Sequence, residues 1–500
     1  MLSSPRPLVV LWCLTVMGAA GAQQVPREQL TWGFCTVAGT SAHAEWPLSR
    51  EELVMLRDEL HINAVRLFVH PAFIGLPQKS WNGPESLDYT HATDADYLWR
   101  DPSPAIDSLD EVLDLLRELG IHPVLMVWPV EEYIHYLCRD DLTFLNDPAK
   151  GLDYTGIRPV DQVKALTVAM ARHVHETYDD DFTLIYTEIA GQGDGAPKRI
   201  GEKDRWAEIV AAAKAEAPGA VVCSPEVCIG MWWWAAAGAR AAGSPAVDGP
   251  LPFDIPYSDD WPRGDRLENY RDVFDEIAIS YYGSGPESIE WKDVATDRPA
   301  LSAATEGPLF VARPHFRPKR WLWAEAGWGA PLKERPPLHL ERDLAALLFG
   351  LDGSAGALLW QAKDNEGSAG GVFSDKGVRT ASFPLLKAVA DVVLADAAFF
   401  ATDHPRLNAD GFPVAEDVLR EADPAVLTRF VGNHLLLFSE APTMTEVTLT
   451  DTAGVALTEV PVGHGYSTPW PLDVRPNPDG TITIGRIRPG LLYIMRAAGK

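Results

Sequence analysis

The chain has 500 residues, 46% of them hydrophobic and 23% charged. That is long enough for one large domain and a smaller one. Its net charge of −27 argues against nucleic acid, whose phosphates require a basic surface, and against anionic membranes and strongly anionic substrates. Solubility alone also accounts for such a charge.

The first residues have the layout of a secretory signal. Arg6 gives a basic start, Leu8 to Ala20 form an apolar stretch too short to span a bilayer, and Ala20-Gly21-Ala22 is a small-residue cleavage site. Cys13 follows Trp12, which makes a poor lipid-anchor site. A mature chain starting at Gln23 is expected to be soluble, with a secreted or periplasmic location. Met231-Trp-Trp-Trp-Ala-Ala-Ala stops at Arg240, too short for a membrane helix. Four cysteines remain after export: Cys35, Cys138, Cys223 and Cys228. An oxidising compartment permits disulfides, three full pairings are open, and Cys223 and Cys228 are close enough to pair locally. No Cys-x-x-Cys pair or nearby histidine accompanies them, so no metal site is expected. His173 and His175 lie two apart in a helical stretch, Val163 to Tyr178, and read as surface histidines.

From about Leu30 to about Leu394, apolar runs alternate with amphipathic helices. The predicted strands are Thr31–Ala38, Ala64–Val69, Pro123–Trp128, Thr183–Ile189, Val221–Glu226, Glu276–Tyr282, Trp321–Ala326 and Ala357–Gln361. Several are uniformly apolar, as parallel strands covered on both faces are. Ser49-Arg-Glu-Glu-Leu opens a helix with a capping box. Ser108–Leu119, Arg205–Ala215 and Leu340–Leu351 are further helices. Eight β-α units predict a (β/α)8 TIM barrel over residues 23–395. The competing α/β architecture, an open doubly wound sheet, lacks its glycine-rich phosphate loop after the first strand. Beyond the helix Phe383–Leu394 the texture becomes all-β. Val426–Phe438, Glu446–Thr450, Thr481–Ile487 and Leu491–Arg496 read as strands of a small C-terminal β-sandwich domain, residues 396–500.

Two glutamates end apolar runs, Glu188 in Phe182-Thr-Leu-Ile-Tyr-Thr-Glu188 and Glu325 in Trp321-Leu-Trp-Ala-Glu325. A carboxylate at a buried strand tip is costly unless something pairs with it. Barrel enzymes place catalytic groups at such tips. Two of them suggest an acid and a nucleophile facing each other, the arrangement that cuts a glycosidic bond with retention. Trp321, Trp323 and Trp328 flank Glu325; aromatic faces stack on sugar rings, while core packing is the plain alternative. Arg66, inside the second strand, also needs a partner. Aimed at Glu325 it would hold that carboxylate ionised; a salt bridge to a helix residue is the alternative. Tyr281 and Tyr282 end the sixth strand, where a tyrosine could donate to the nucleophile, and Trp360 ends the eighth, placed to floor a sugar subsite.

With arginine, glutamate, tyrosine, glutamate and tryptophan on strands two, four, six, seven and eight, the chain resembles clan A of the glycoside hydrolases, such as families 5 and 39. Val65-Arg66-Leu67, Ala324-Glu325-Ala326-Gly327, Ser280-Tyr281-Tyr282-Gly283 and Trp360 carry the resemblance. It implies a retaining β-glycosidase with Glu188 as acid/base and Glu325 as nucleophile, a carbohydrate substrate bound near Arg66, Thr187, Tyr281, Tyr282, Trp360 and Trp128, and no metal or cofactor. Thr187 stands where most members have asparagine, and Val127-Trp128 and Ser280 stand where family 5 has histidines. A secreted carbohydrate-binding protein without catalysis is the rival from another class. A metal-dependent barrel hydrolase lacks its His-x-His at the end of the first strand.

Overall fold

The computed structural model describes residues 23–36, 48–69, 109–127, 153–186, 203–228, 272–282, 321–327, 353–364, 371–402, 426–439, 443–449, 455–460, 471–488 and 490–498, with single positions and short pieces between them. Residues 1–22, Trp128, Thr187, Glu188, Trp328 and the tryptophan triplet lie outside the described residues.

Eight parallel strands close on themselves. They are β1 (Thr31–Thr36), β2 (Ala64–Val69), β3 (His122–Val127), β4 (Thr183–Tyr186), β5 (Val221–Pro225, resuming at Val227–Cys228), β6 (Ile277–Tyr282), β7 (Trp321–Gly327) and β8 (Gly356–Trp360). Each pairs with the next, and β1 pairs with β8 through Thr31↔Gly356 to Phe34↔Leu359. Between β5 and β6 the ring closes through Cys223↔Glu276, Val227↔Ile279 and Cys228↔Ser280. This is a TIM barrel, as the alternation of apolar runs and helices predicts.

The side-chain period of two sorts the strand residues into two cores. Val65, Leu67 and Val69 of β2, Leu125 and Val127 of β3, and Leu184 and Tyr186 of β4 pack outward against the helices. Cys35, Ala64, Phe68, Val124, Met126, Ile185, Cys223, Ala278, Leu322, Ala324 and Leu358 fill the interior. The helices described around the barrel include α1 (Arg50–Leu60), α2 (Leu109–Glu118), α3 (Pro159–Tyr178) and α4 (Lys203–Glu216). At the start of α1 the capping box forms as expected. The Ser49 side chain accepts from the Glu52 amide at 3.2 Å, and the Glu52 carboxylate accepts from the Ser49 amide at 2.7 Å. His173 and His175 point to different partners, Asp110 and Asp180.

Where β8 starts, the backbone leaves no room for a side chain. Gly356 sits at φ +139°, and a Cβ there would fall 1.8 Å from the Thr31 carbonyl oxygen. Replacing Gly356 with Ala is therefore expected to destabilise the barrel by about 1–3 kcal/mol or more, through strain and overpacking together. A lower urea midpoint with an unchanged slope is the expected observation; an unchanged midpoint would contradict the close packing of this seam.

Beyond α5 (Phe383–Ala395) and α6 (Ala397–Phe400) the chain is β. Strands 426–431, 434–439, 492–498 and 456–460 form one antiparallel sheet, and 445–449, 482–487 and 473–476 a second. The run Val426–Phe438, expected as one strand, is a hairpin. Gly432, at φ +51°, and Asn433 make its turn, and Val431 pairs with His434. Gly-Asn is a hairpin signal, but the apolar residues on both sides masked it. The strands 456–460 and 473–476 carry too little apolar alternation to have been expected.

The sandwich shares its core with the barrel's outer layer. Val431, Leu436, Phe438, Leu492 and Ile494 join the cluster that holds Leu344, Leu348 and the apolar face of α5. Polar contacts fix the seam. His434 Nδ1 lies 2.5 Å from Asp396 Oδ2, and buried Glu341 accepts from the Leu492 amide at 2.6 Å. These contacts give the C-terminal strands a structural task against the barrel.

Candidate active site

The interior charges meet at one arginine. Arg66 faces inward from the middle of β2 and is completely buried. Its Nη1 donates to Glu226 Oε1 at 2.6 Å and its Nη2 to Glu226 Oε2 at 2.7 Å. Nη1 also reaches the Ala324 carbonyl at 2.8 Å and Glu325 Oε2 at 3.1 Å. Its guanidinium carbon lies 4.8 Å from the centroid of the Phe68 ring. Both salt bridges run to strand-end carboxylates, and neither goes to a helix.

Strict alternation would not place Glu325 there. Trp321 and Trp323 face outward, buried in the layer between barrel and helices. The terminal ring carbons of Trp323 press on Gly350, at 3.0 Å from where a Cβ would stand. Two residues further on, Glu325 should also face outward. A β-bulge reverses it. Ile279 pairs with Trp323 but Ser280 pairs with Glu325, so β7 carries one extra residue, Ala324, against β6. The same surplus shows against β8, where Trp323 pairs with Ala357 and Ala326 with Leu359. Bulges re-aim side chains in this way, often beside active sites. The bulged Ala324 turns its carbonyl inward, where Arg66 Nη1 and the Cys35 thiol donate to it. Of the two readings of Trp321 and Trp323, core packing is the one the structure shows.

A second bulge places Glu226, which the sequence reading did not single out as a site residue. Leu184 pairs with Val222 but Tyr186 pairs with Pro225, so β5 has gained a residue. Cys223 faces the interior, and three residues later Glu226 does too. The signal was available: Glu226 ends a buried apolar run, as Glu188 and Glu325 do.

Glu325 is 7% exposed, whereas Glu226 has no exposure at all. Burial pushes the Glu325 carboxyl above its usual range, and the Arg66 charge and hydrogen bond only partly oppose that. Arg66 does reach Glu325, as expected, but burial outweighs what its charge does to hold that carboxylate ionised. The arginine is already clasped by a closer carboxylate. Burial also pushes the Cys35 and Cys223 thiols well up. Both cysteines are free, so neither a full four-cysteine pairing nor a local Cys223–Cys228 bridge forms.

Trp360, the last residue of β8, is half-buried at the end of the barrel interior, and its ring meets Phe68 edge-on at 5.8 Å. Tyr281 and Tyr282 close β6, paired with Ala326 and Gly327 of β7. The structure thus brings Arg66, from the middle of its strand, and Glu325 and Trp360, from the C-terminal halves of theirs, to the interior and its rim. Glu188, Thr187 and Trp128 lie outside the described residues; Glu188 comes two residues after the end of β4. Among the described residues no group of three or more His, Cys, Asp or Glu is arranged to hold a metal ion.

This closed barrel with its C-terminal sandwich is a fold also found among solved glycoside hydrolases. No family model matches the sequence, and no curated protein matches it. A family 39 glycoside hydrolase from Bacteroides cellulosilyticus WH2 is similar in structure, with a TM-score of 0.50 at 12% identity, over 95% of this chain and 82% of that one. A family 39 enzyme from Xanthomonas axonopodis pv. citri gives 0.46 at 11% identity, over 96% of both chains. A family 5 protein from Bifidobacterium longum gives 0.44 at 14% identity, over 77% of this chain and 85% of that one.

Proposed function

We propose that the protein is an exported retaining β-glycoside hydrolase that acts on a poly- or oligosaccharide. The observation that carries this reading is Glu325. A bulge turns it into the end of a glycosidase-fold barrel beside a buried arginine, and it keeps a small exposed surface.

In this mechanism Glu325, ionised, attacks the anomeric carbon and forms a glycosyl-enzyme ester as the C–O bond to the leaving group breaks. Glu188, protonated, gives its proton to the departing oxygen. It then takes a proton from the water that opens the ester, which releases the sugar with its anomeric configuration retained. Trp360 offers a ring on which the sugar can stack.

The test is hydrolysis of plant and algal polysaccharides and aryl β-glycosides, with the product anomer followed by NMR. Retention is expected, and an inverted product would overturn the double displacement. Binding without turnover would favour a carbohydrate-binding protein on the same fold. Because burial raises the Glu325 pKa and the nucleophile must be ionised, activity is lost as pH falls through that raised value. The acidic limb of kcat/KM is expected above the ordinary glutamate value of about 4.3.

A further inference from the structure

One buried charge has no place in the reaction just described. Glu226 has no exposed surface, so it cannot touch a substrate. It nevertheless takes the best of Arg66. Two bonds of 2.6 and 2.7 Å join one carboxylate to both terminal nitrogens, a bidentate geometry that fixes the guanidinium plane. Glu325 receives one bond of 3.1 Å, from a nitrogen that also serves the Ala324 carbonyl. Nη1 carries two hydrogens. With one directed to Glu226, the other is shared between Ala324 and Glu325. One cation therefore serves two buried carboxylates unequally, with Cys35, Met126 and the Phe68 ring also against it.

We propose that Glu226 is a positioning residue for Glu325: it clasps Arg66 in a fixed orientation and thereby sets how much of the arginine's charge and hydrogen bonding Glu325 receives. The role is written for the nucleophile of the proposed hydrolase and rests on that reading, but the coupling itself exists without a substrate. Each carboxylate competes for the same guanidinium. Weakening Glu226 releases Arg66 toward Glu325, favours its charged form and lowers its pKa. Two independent bulges, in β5 and β7, are needed to bring these carboxylates to one arginine. A merely structural ion pair would need only one.

The test reads Glu325 directly. In protein carrying 13C-labelled glutamate side chains, the Glu325 carboxyl signal is assigned by its loss in Glu325→Gln and titrated by NMR. In the wild-type protein its midpoint is expected above about 4.3. In Glu226→Gln, where the amide oxygen can accept only part of the clasp and the charge is gone, the midpoint is expected to fall by about one pH unit. Glu226→Asp keeps the charge but is too short to span both nitrogens, and a smaller downward shift is expected. Should Glu226→Gln fail to fold, the wild-type midpoint and the Asp variant decide. A wild-type midpoint at or below the ordinary value, or one unmoved in a folded Glu226 variant, overturns the proposal. If the wild type hydrolyses no glycoside yet Glu325 shifts as expected, the proposed activity fails and the positioning role stands. If it hydrolyses glycosides with an unmoved midpoint, the reverse holds.

Discussion

Glu325→Gln is expected to lower kcat on an activated aryl β-glycoside by at least about 10³-fold while leaving the protein as stable as before, or more stable. The loss follows from chemistry. An amide cannot form the glycosyl ester, and removal of a nucleophile costs far more than removal of one supporting hydrogen bond, itself worth about 10²–10³-fold. The retained stability follows from geometry. Glutamine has nearly the volume of glutamate, and its Oε1 can still accept from Arg66 Nη1, where Glu325 accepts at 3.1 Å. The substitution also removes one of two carboxylates sharing a single buried cation. A buried charge that is only partly paired costs stability, so the melting temperature should hold or rise. Active-site groups commonly show this opposition between activity and stability. A variant of undiminished kcat would remove Glu325 from the chemistry. Equal loss of kcat and of melting temperature would assign it to the framework instead.

The barrel was legible because burial on both faces leaves uniformly apolar runs. β2 has the limits Ala64–Val69 that the sequence predicts, and the other seven strands fall within a few residues of expectation. What the pattern could not show is where the period of two is broken. Read with strict alternation, Trp321, Trp323 and Glu325 share a face, and the tryptophans look like a sugar platform. The extra residue at Ala324 separates them, and nothing in Trp-Leu-Trp-Ala-Glu announces a bulge. Glu226 was missed for a different reason. Its run, Val221-Val-Cys-Ser-Pro-Glu226, ends in a carboxylate like the other two, but polar Ser224 and Pro225 precede it and blur the apolar character of the strand. The physical rule that a buried strand-end carboxylate needs a partner applies to Glu226 as it does to Glu325.

The same rule gives the largest stability effect expected in this protein. Arg66→Met strips the cation from two carboxylates, one of them fully buried, and is expected to cost about 3–5 kcal/mol. The cost should depend on pH. Without the arginine, nothing offsets the burial that already raises the Glu325 pKa in the folded state above that of the unfolded chain. The folded state then binds more protons than the unfolded one, so stability falls as pH rises from about 4.3 upward. In the wild type, Arg66 opposes that slope. Adding Glu226→Met to Arg66→Met removes the more deeply buried carboxylate and fills its place with apolar volume. The double variant should recover about 1–3 kcal/mol of the loss and show a shallower pH slope, a coupling that urea denaturation at two pH values can measure. Strictly additive losses, equal at both pH values, would mean that Arg66 contributes by packing against Phe68 and Met126 rather than by charge. In that case the clasp by Glu226 could not govern Glu325. The double variant therefore tests the electrostatic design of the interior without any assumption about which sugar, if any, the barrel cuts.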